Sequence, residues 1–290
     1  MAEAQSIQWF PGHMAKTRRK IREDLKLVDV VAEILDARIP QSSSNPVLRD
    51  IIQRKPKVVL LNKSDMADPA QTSRWVNYYA SLGERAIPLE SKTGKGLNAF
   101  YPTVREVLKE QILSWESKGM VGRPIRVMVV GIPNVGKSSF INQMIRGGGA
   151  GKAEVQDRPG VTRQNRWFTV GRGFELLDTP GVLWPKFEDP VVGEHLAFTG
   201  AVRDEILDME GLAARLLELL LELYPNAVNA RYKTSFSQEE RLPGHVLLEQ
   251  VGRKRGMLIS GGEVNTERAA ITVLDEYRSG KLGRITLERP

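Results

Sequence analysis

An apolar run, Ile125 to Val130, passes without a break into Gly131-Ile132-Pro133-Asn134-Val135-Gly136-Lys137-Ser138, and a helical pattern starts at Ser138. The spacing is GxxxxGK[ST]. A loop of this kind works only where a strand's end meets a helix amino terminus, so it commits the chain to an α/β layer architecture. Its glycines let backbone N–H groups turn inward around phosphate oxygens, with the helix end adding positive potential. In that frame Lys137 reaches the β and γ phosphates and Ser138 holds magnesium, while Val135, Gly136 and Ser139 complete the phosphate-binding set.

The flanking sequence repeats the pattern. Val28 to Leu35, Lys57 to Leu61, Ala86 to Leu89 and Phe174 to Leu177 are further strand-like runs, each followed by a loop rich in Gly, Pro, Ser or Asn. Helical patterns fall around Pro46 to Gln53, Thr72 to Ser81, Ala99 to Ser117 and Ser138 to Ile145. Strand and helix in alternation predict a doubly wound parallel sheet, with ligands beyond the carboxyl ends of its strands. After about Pro185 the character changes to amphipathic helices at Gly193 to Gly200, Gly211 to Tyr224, Pro243 to Arg255 and Thr266 to Ser279. Leu212, Leu216, Leu219, Leu220 and Leu223 form one apolar stripe, and Ala270, Ile271, Val273, Leu274 and Tyr277 another. The expected organisation is an α/β domain over residues 1–185, a linker at Trp184 to Pro190, and a small all-α domain over residues 186–290.

Three more loops follow predicted strands and carry chemistry. Asn62-Lys63-Ser64-Asp65 matches NKxD. The Asp65 carboxylate has two acceptor oxygens at the spacing of guanine's N1–H and exocyclic amine, a donor pair adenine lacks; Asn62 would tie this loop to the phosphate loop, and the Lys63 stem would cover the base. Asp178-Thr179-Pro180-Gly181 matches DxxG, putting Asp178 near magnesium and the Gly181 amide at the γ-phosphate. Thr162, in the polar stretch Arg158 to Thr162, is a candidate to cap magnesium while the γ-phosphate is present.

These motifs resemble those of the translation-factor-related GTPases, in an unusual order. The base-reading motif ordinarily comes last, whereas here it precedes the phosphate loop, and Asp178 to Gly181 closes the domain. The chain therefore looks like a circularly permuted GTPase, with Trp115 to Pro124 bridging ends that are free in an unpermuted relative. Ile7-Gln8-Trp9-Phe10-Pro11-Gly12-His13-Met14-Ala15-Lys16, with Asp36-Ala37-Arg38-Ile39-Pro40, resembles the bacterial ribosome biogenesis GTPase A family and its mitochondrial relatives. The resemblance implies GTP and GDP as ligands, magnesium as cofactor, and a role in late assembly of the large ribosomal subunit or its precursor. It also implies contact of the helical domain with rRNA. A monomer is expected. By the same resemblance Ser91 offers its amide to guanine O6, followed by Lys92. Glu90 departs from the serine usual there and leaves open what supports that loop.

Hydrolysis needs an oriented water. Val182 follows the DxxG motif where many GTPases have glutamine, and an aliphatic side chain cannot orient water, so intrinsic turnover is expected to be slow. The resemblance makes His13 the replacement, against the plainer reading of a surface histidine. Asn134 either helps coordinate potassium, as in GTPases of similar loop sequence, or simply stabilises the loop turn. The competing function is an RNA-binding assembly scaffold for which GTP is a structural ligand with little turnover.

Charge and composition set the remaining bounds. The net charge is +7, and its excess falls before residue 186, leaving the last third net acidic. Such a field favours polyanions, with Lys16, Arg18, Arg19, Lys20, Arg22 and Lys26 as candidate phosphate contacts. Arg253, Lys254 and Arg255 fit either an RNA contact or a helix-dipole preference. The absence of cysteine excludes disulfides, thiolate metal sites and a cysteine nucleophile. No apolar stretch is long enough for a membrane span and the first residues lack a signal-peptide core, so a cytoplasmic protein without membrane attachment is expected.

Overall fold

The computed structural model describes residues 11–52, 54–147, 166–181, 183–184 and 189–290, apart from the side chains of residues 11–15. Its six strands are β1 (Val30–Asp36), β2 (Lys57–Asn62), β3 (Arg85–Pro88), β4 (Ile125–Gly131), β5 (Arg166–Thr169) and β6 (Phe174–Asp178). They form a sheet in the order β3-β2-β1-β4-β6-β5, parallel throughout except for the β5–β6 pair. The predicted parallel sheet is present. β5 is an addition to it: a four-residue edge strand with Trp167 buried, Phe168 half-buried and both end residues exposed, joined to β6 by a turn at Gly171-Arg172-Gly173. Too short for a visible apolar run, it is held by its antiparallel neighbour.

β1 is buried along its whole length, as expected of a central strand covered on both faces. On one face lie α1 (Pro11–Asp24), α2 (Pro46–Ile52) and α3 (Pro69–Ser81). Ile21, Leu48 and Ile52 pack there with Val31, Met128, Val130 and Leu177, while Trp75 and Tyr79 of α3 cover Leu35, Val59 and Leu61. α3 begins where its sequence says it should: Asp68 accepts hydrogen bonds from the Ala70 and Gln71 amides, and Pro69 occupies the first helical position. On the other face lie α4 (Phe100–Val107) and α6 (Lys137–Gly147), contributing Phe100, Val104, Phe140 and Met144. The single helical pattern expected from Ala99 to Ser117 is broken at buried Leu108. Beyond it α5 (Lys109–Ser117) has no fully buried residue and touches the core only through half-buried Ile112 and Trp115.

The core continues through Ile39, Leu183 and Trp184 into the C-terminal helices α7 (Pro190–Phe198), α8 (Met209–Leu223), α9 (Pro225–Tyr232), α10 (Gly244–Lys254) and α11 (Thr266–Arg278). α9 is an addition to the four helices expected. α8 is central and touches all the others. Its buried residues are consequently Ala213, Leu216, Leu217, Leu220 and Leu221, which share Leu216 and Leu220 with the predicted stripe, whereas Leu212, Leu219 and Leu223 are half-buried against the core. In α11, Ile271 is exposed and Ala269 takes its place in the core.

The last residues do not stay with the helices. Arg284 donates to the Ser64 and Ala67 carbonyls, the Ile285 amide to the Met66 carbonyl (2.9 Å) and the Leu287 amide to the Arg38 carbonyl (2.8 Å). Glu288 then accepts from the Gln41 and Ser42 amides, pairs with the Ser42 hydroxyl and meets His195 Nδ1 of α7 at 3.0 Å. The tail thus straps the loops beyond β1 and β2.

Candidate functional site

The carboxyl ends of β1, β2, β4 and β6 lie side by side: Asp36 is in register with Asn62, Ile34 with Gly131, and Val129 with Asp178. Asn62 is the junction. Its Nδ2 donates to the Val135 carbonyl at 2.7 Å, and its Oδ1 accepts the Ser91 amide at 3.0 Å. One buried amide therefore joins the base-reading loop, the phosphate loop and the loop after β3. Gly136 permits this approach: it has φ +104°, and a Cβ there would stand 2.2 Å from Asn62 Nδ2.

In the phosphate loop, the Lys137 ammonium is buried and donates to the Gly131 and Ile132 carbonyls at 3.2 and 2.9 Å. Burial pushes its pKa down to about 8 against the attraction of Asp178, and burial raises Asp178 in turn against Lys137. The DxxG loop lies directly on this lysine, since a Cβ on Gly181 would be 2.8 Å from Lys137 Nζ and 3.0 Å from the Pro133 backbone. Thr179 anchors that loop through its hydroxyl, donated to the Val129 carbonyl at 2.6 Å. Ser138 is exposed and Ser139 half-exposed in the first turn of α6. An exposed hydroxyl there, with Asp178 at the end of β6, is a hard-oxygen donor set that suits magnesium.

At the base-reading end, Lys63 has φ +60°, and its ammonium pairs with Asp36 Oδ2 at 2.9 Å. Asp36 also takes a two-pronged contact from Arg38, at 2.9 Å from Nε and 2.8 Å from Nη2. Burial alone would raise the Asp36 carboxyl; the charges of Arg38 and Lys63 hold it well below the usual carboxylate range. Burial and the like charge of Arg38 lower Lys63 despite Asp36. Asp65 and Lys92 are exposed, whereas Ser91 is buried and its hydroxyl has no hydrogen-bond partner among the described residues. Glu90 does support its loop, by a route the sequence did not suggest: it pairs with Lys95 at 3.0 Å and accepts from the Thr93 hydroxyl at 2.9 Å.

Asn134 has φ +57°, and its Nδ2 donates to the Gly200 carbonyl, just beyond α7, at 2.7 Å. Thr162 and Val182 lie outside the described residues. His13 falls within the first turns of α1, with its side chain outside the described part. Sequence reasoning missed the Asp36–Arg38 pair as site machinery. The signal was available, because two opposite charges flanking a single alanine at the end of a mostly apolar strand must satisfy each other to be buried.

Known proteins resemble this chain over nearly its full length. The profile of a family described as 50S ribosome-binding GTPase matches residues 126–230. The ribosome biogenesis GTPase A of Bacillus pumilus is 45% identical over 285 residues, covering 98% of this chain and 99% of that protein. Mitochondrial ribosome-associated GTPase 1 of the mouse is 35% identical, covering 97% and 90%. The GNP-bound structure of YlqF from Thermotoga maritima superposes with a TM-score of 0.65 at 28% identity, covering 95% of this chain and 98% of that one, and a GDP-bound YlqF structure gives 0.66. With phosphate and base-reading loops joined through Asn62 and relatives of this closeness over nearly the full length, the chain is a GTP hydrolase and belongs to the ribosome biogenesis GTPase A family.

Proposed function

We propose that this protein is a GTP-dependent assembly factor for the large ribosomal subunit or its precursor, with turnover stimulated by the subunit. The observation that carries the reading is the double hydrogen bond of Asn62, which ties the loop suited to guanine to the loop suited to phosphates. The reading makes the fold a circularly permuted GTPase. In support, the base-reading strand β2 precedes the phosphate-loop strand β4 in the chain, yet only β1 separates them in the sheet. Its ligands are GTP and GDP, its partner rRNA, and its site of action the cytoplasm, as a monomer. Among the described residues no helix is long and apolar enough to cross a membrane.

In this mechanism the amides of residues 131–138 and Lys137 bind the phosphates, Asp65 accepts from guanine, Ser91 donates its amide to O6, and the Lys63 stem and Lys92 flank the base. Ser138, Asp178 and Thr162 would hold magnesium, which supplies charge neutralisation between the phosphates. The Gly181 amide senses the γ-phosphate. Since Gly200 engages the nitrogen of Asn134, the oxygen of that amide is the atom available to a potassium ion. α1 has 14 residues, a span of about 21 Å. It ends just before β1, so a helix of that length lying along the sheet brings His13 toward the strands' carboxyl ends, where it would orient water. The helices after residue 185 and the basic face of α1 (Lys16, Arg18, Arg19, Lys20 and Arg22) are the expected RNA contacts.

Co-sedimentation with large subunits tests the reading. Retention should be stronger with a non-hydrolysable GTP analogue than with GDP, and GTP turnover should rise when subunits are added. His13→Ala should remove that stimulation while leaving GDP affinity within about twofold, because orienting water contributes to the transition state and not to ground-state binding. Retention indifferent to nucleotide, together with unstimulated turnover, would favour the scaffold role instead.

A further inference from the structure

The buried Asp36–Arg38 pair lies between the base-reading loop and the last helix. On one side Asp36 Oδ2 holds Lys63 Nζ at 2.9 Å. On the other, Arg38 Nη1 donates to the Tyr277 and Arg278 carbonyls at 3.3 and 3.4 Å, where α11 ends, and its guanidinium stands 5.2 Å from the centre of the Tyr277 ring. Those carbonyls belong to a helix's last turn, where acceptors lack intrahelical donors and attract cations.

The connection continues past α11. The Arg278 side chain donates to the Ala197 and Phe198 carbonyls at 2.8 and 3.2 Å and forms a fork with Asp204 at 2.7 and 2.8 Å. It passes beside Gly200, where a Cβ would lie 3.4 Å from its Nε. Gly200 is the residue whose carbonyl takes Asn134 of the phosphate loop. A run of polar contacts thus leads from the lysine of the base-reading loop, through the C-terminal helices, to the phosphate loop.

We infer that Asp36 and Arg38 are positioning residues for guanine-nucleotide binding, fixing Lys63 against the base, and that the seating of α11 on Arg38 sets nucleotide affinity. This rests on the reading of Asn62 to Asp65 as the guanine loop. Lys63 in its left-handed conformation has a long, rotamer-rich stem, and a buried carboxylate at its tip selects one arrangement before the base arrives. That carboxylate is itself oriented by Arg38, whose remaining donor is satisfied only while the end of α11 is in place. Coupling of this kind is reciprocal: if α11 seating strengthens nucleotide binding, nucleotide must stabilise α11 seating by the same factor.

The test uses the full chain and fluorescent GDP. The pair is replaced together, Asp36→Asn with Arg38→Gln, so that Arg38 is not left buried without its carboxylate and only the Lys63 ammonium, 21% exposed, loses its partner. GDP binding should weaken by about ten- to a hundredfold, the worth of one charge-assisted contact. Lys63→Ala should weaken it comparably, and the triple variant should be no weaker than the double, since both act through one stem. A second measurement needs no substitution: hydrogen exchange of the amides from Tyr277 to Gly280 in the wild-type protein should slow when GDP is added. Unchanged GDP affinity in the folded double variant, multiplicative effects in the triple, or exchange at residues 277–280 indifferent to GDP overturns the inference. Failure of the guanine-loop reading would show separately, as an Asp65→Asn protein that keeps its preference for guanosine nucleotides.

Discussion

Lys137→Met is expected to lower the rate of GTP hydrolysis by about a thousandfold without destabilising the nucleotide-free protein. The two halves of this expectation share one cause. The ammonium is buried among backbone carbonyls, and its depressed pKa of about 8 reports a charge that the folded state holds at some expense. A polyphosphate in the loop would offset that expense, most strongly as charge builds on the transferring group. Methionine keeps the length of the stem and discards the charge, so the site loses its electrostatics, and relief of the buried charge offsets the donor lost to the Gly131 and Ile132 carbonyls. Single-turnover hydrolysis and thermal melting without nucleotide give the two readouts. A variant that hydrolyses GTP within tenfold of the wild type would remove Lys137 from the chemistry.

Asn62→Ala should do the opposite to stability. Asn62 is only 3% exposed, and truncation strands the Val135 carbonyl and the Ser91 amide, each at about 1–3 kcal/mol. The urea midpoint should fall accordingly. GDP affinity should fall by about a hundredfold or more, because three loops lose their common register rather than one contact to ligand. A melting temperature and a GDP titration both unchanged would mean that the loops are held by other means.

The sheet is legible in the sequence because β1, β2, β4 and β6 are mostly apolar runs, interrupted only by Glu33, Arg126 and Glu175, that end in glycine, asparagine or aspartate. β5 was not legible, since four residues on an edge leave no periodic signal and pairing with β6 decides their state. The α8 stripe holds at Leu216 and Leu220 but omits Ala213, Leu217 and Leu221, for a related reason. A helix packed on several sides buries whichever face its neighbours contact, and spacing alone does not say which. At the site, the motifs single out Asn62, Lys63, Asp65, Lys137 and Asp178 as candidates but say nothing of the supports beneath them. Arg38 reaches α11 across 239 residues of sequence, Asn134 reaches Gly200, and Glu288 returns to Ser42. Such contacts depend on tertiary packing and leave no mark on local pattern. Glu90 shows the converse: a departure from the family's usual residue becomes intelligible only once Lys95 and Thr93 are seen beside it.

In the function proposed above, one exposed carboxylate, Asp65, selects guanine for a phosphate loop that follows it in the chain. Xanthine carries a carbonyl oxygen where guanine carries its amine, so Asp65→Asn should exchange an acceptor for a donor at that position. Competition between GTP and XTP for the Asp65→Asn protein measures this most directly. GTP affinity should fall by about a hundredfold or more while XTP becomes the preferred ligand. An Asp65→Asn protein that still prefers GTP to XTP by the wild-type factor would contradict that proposal.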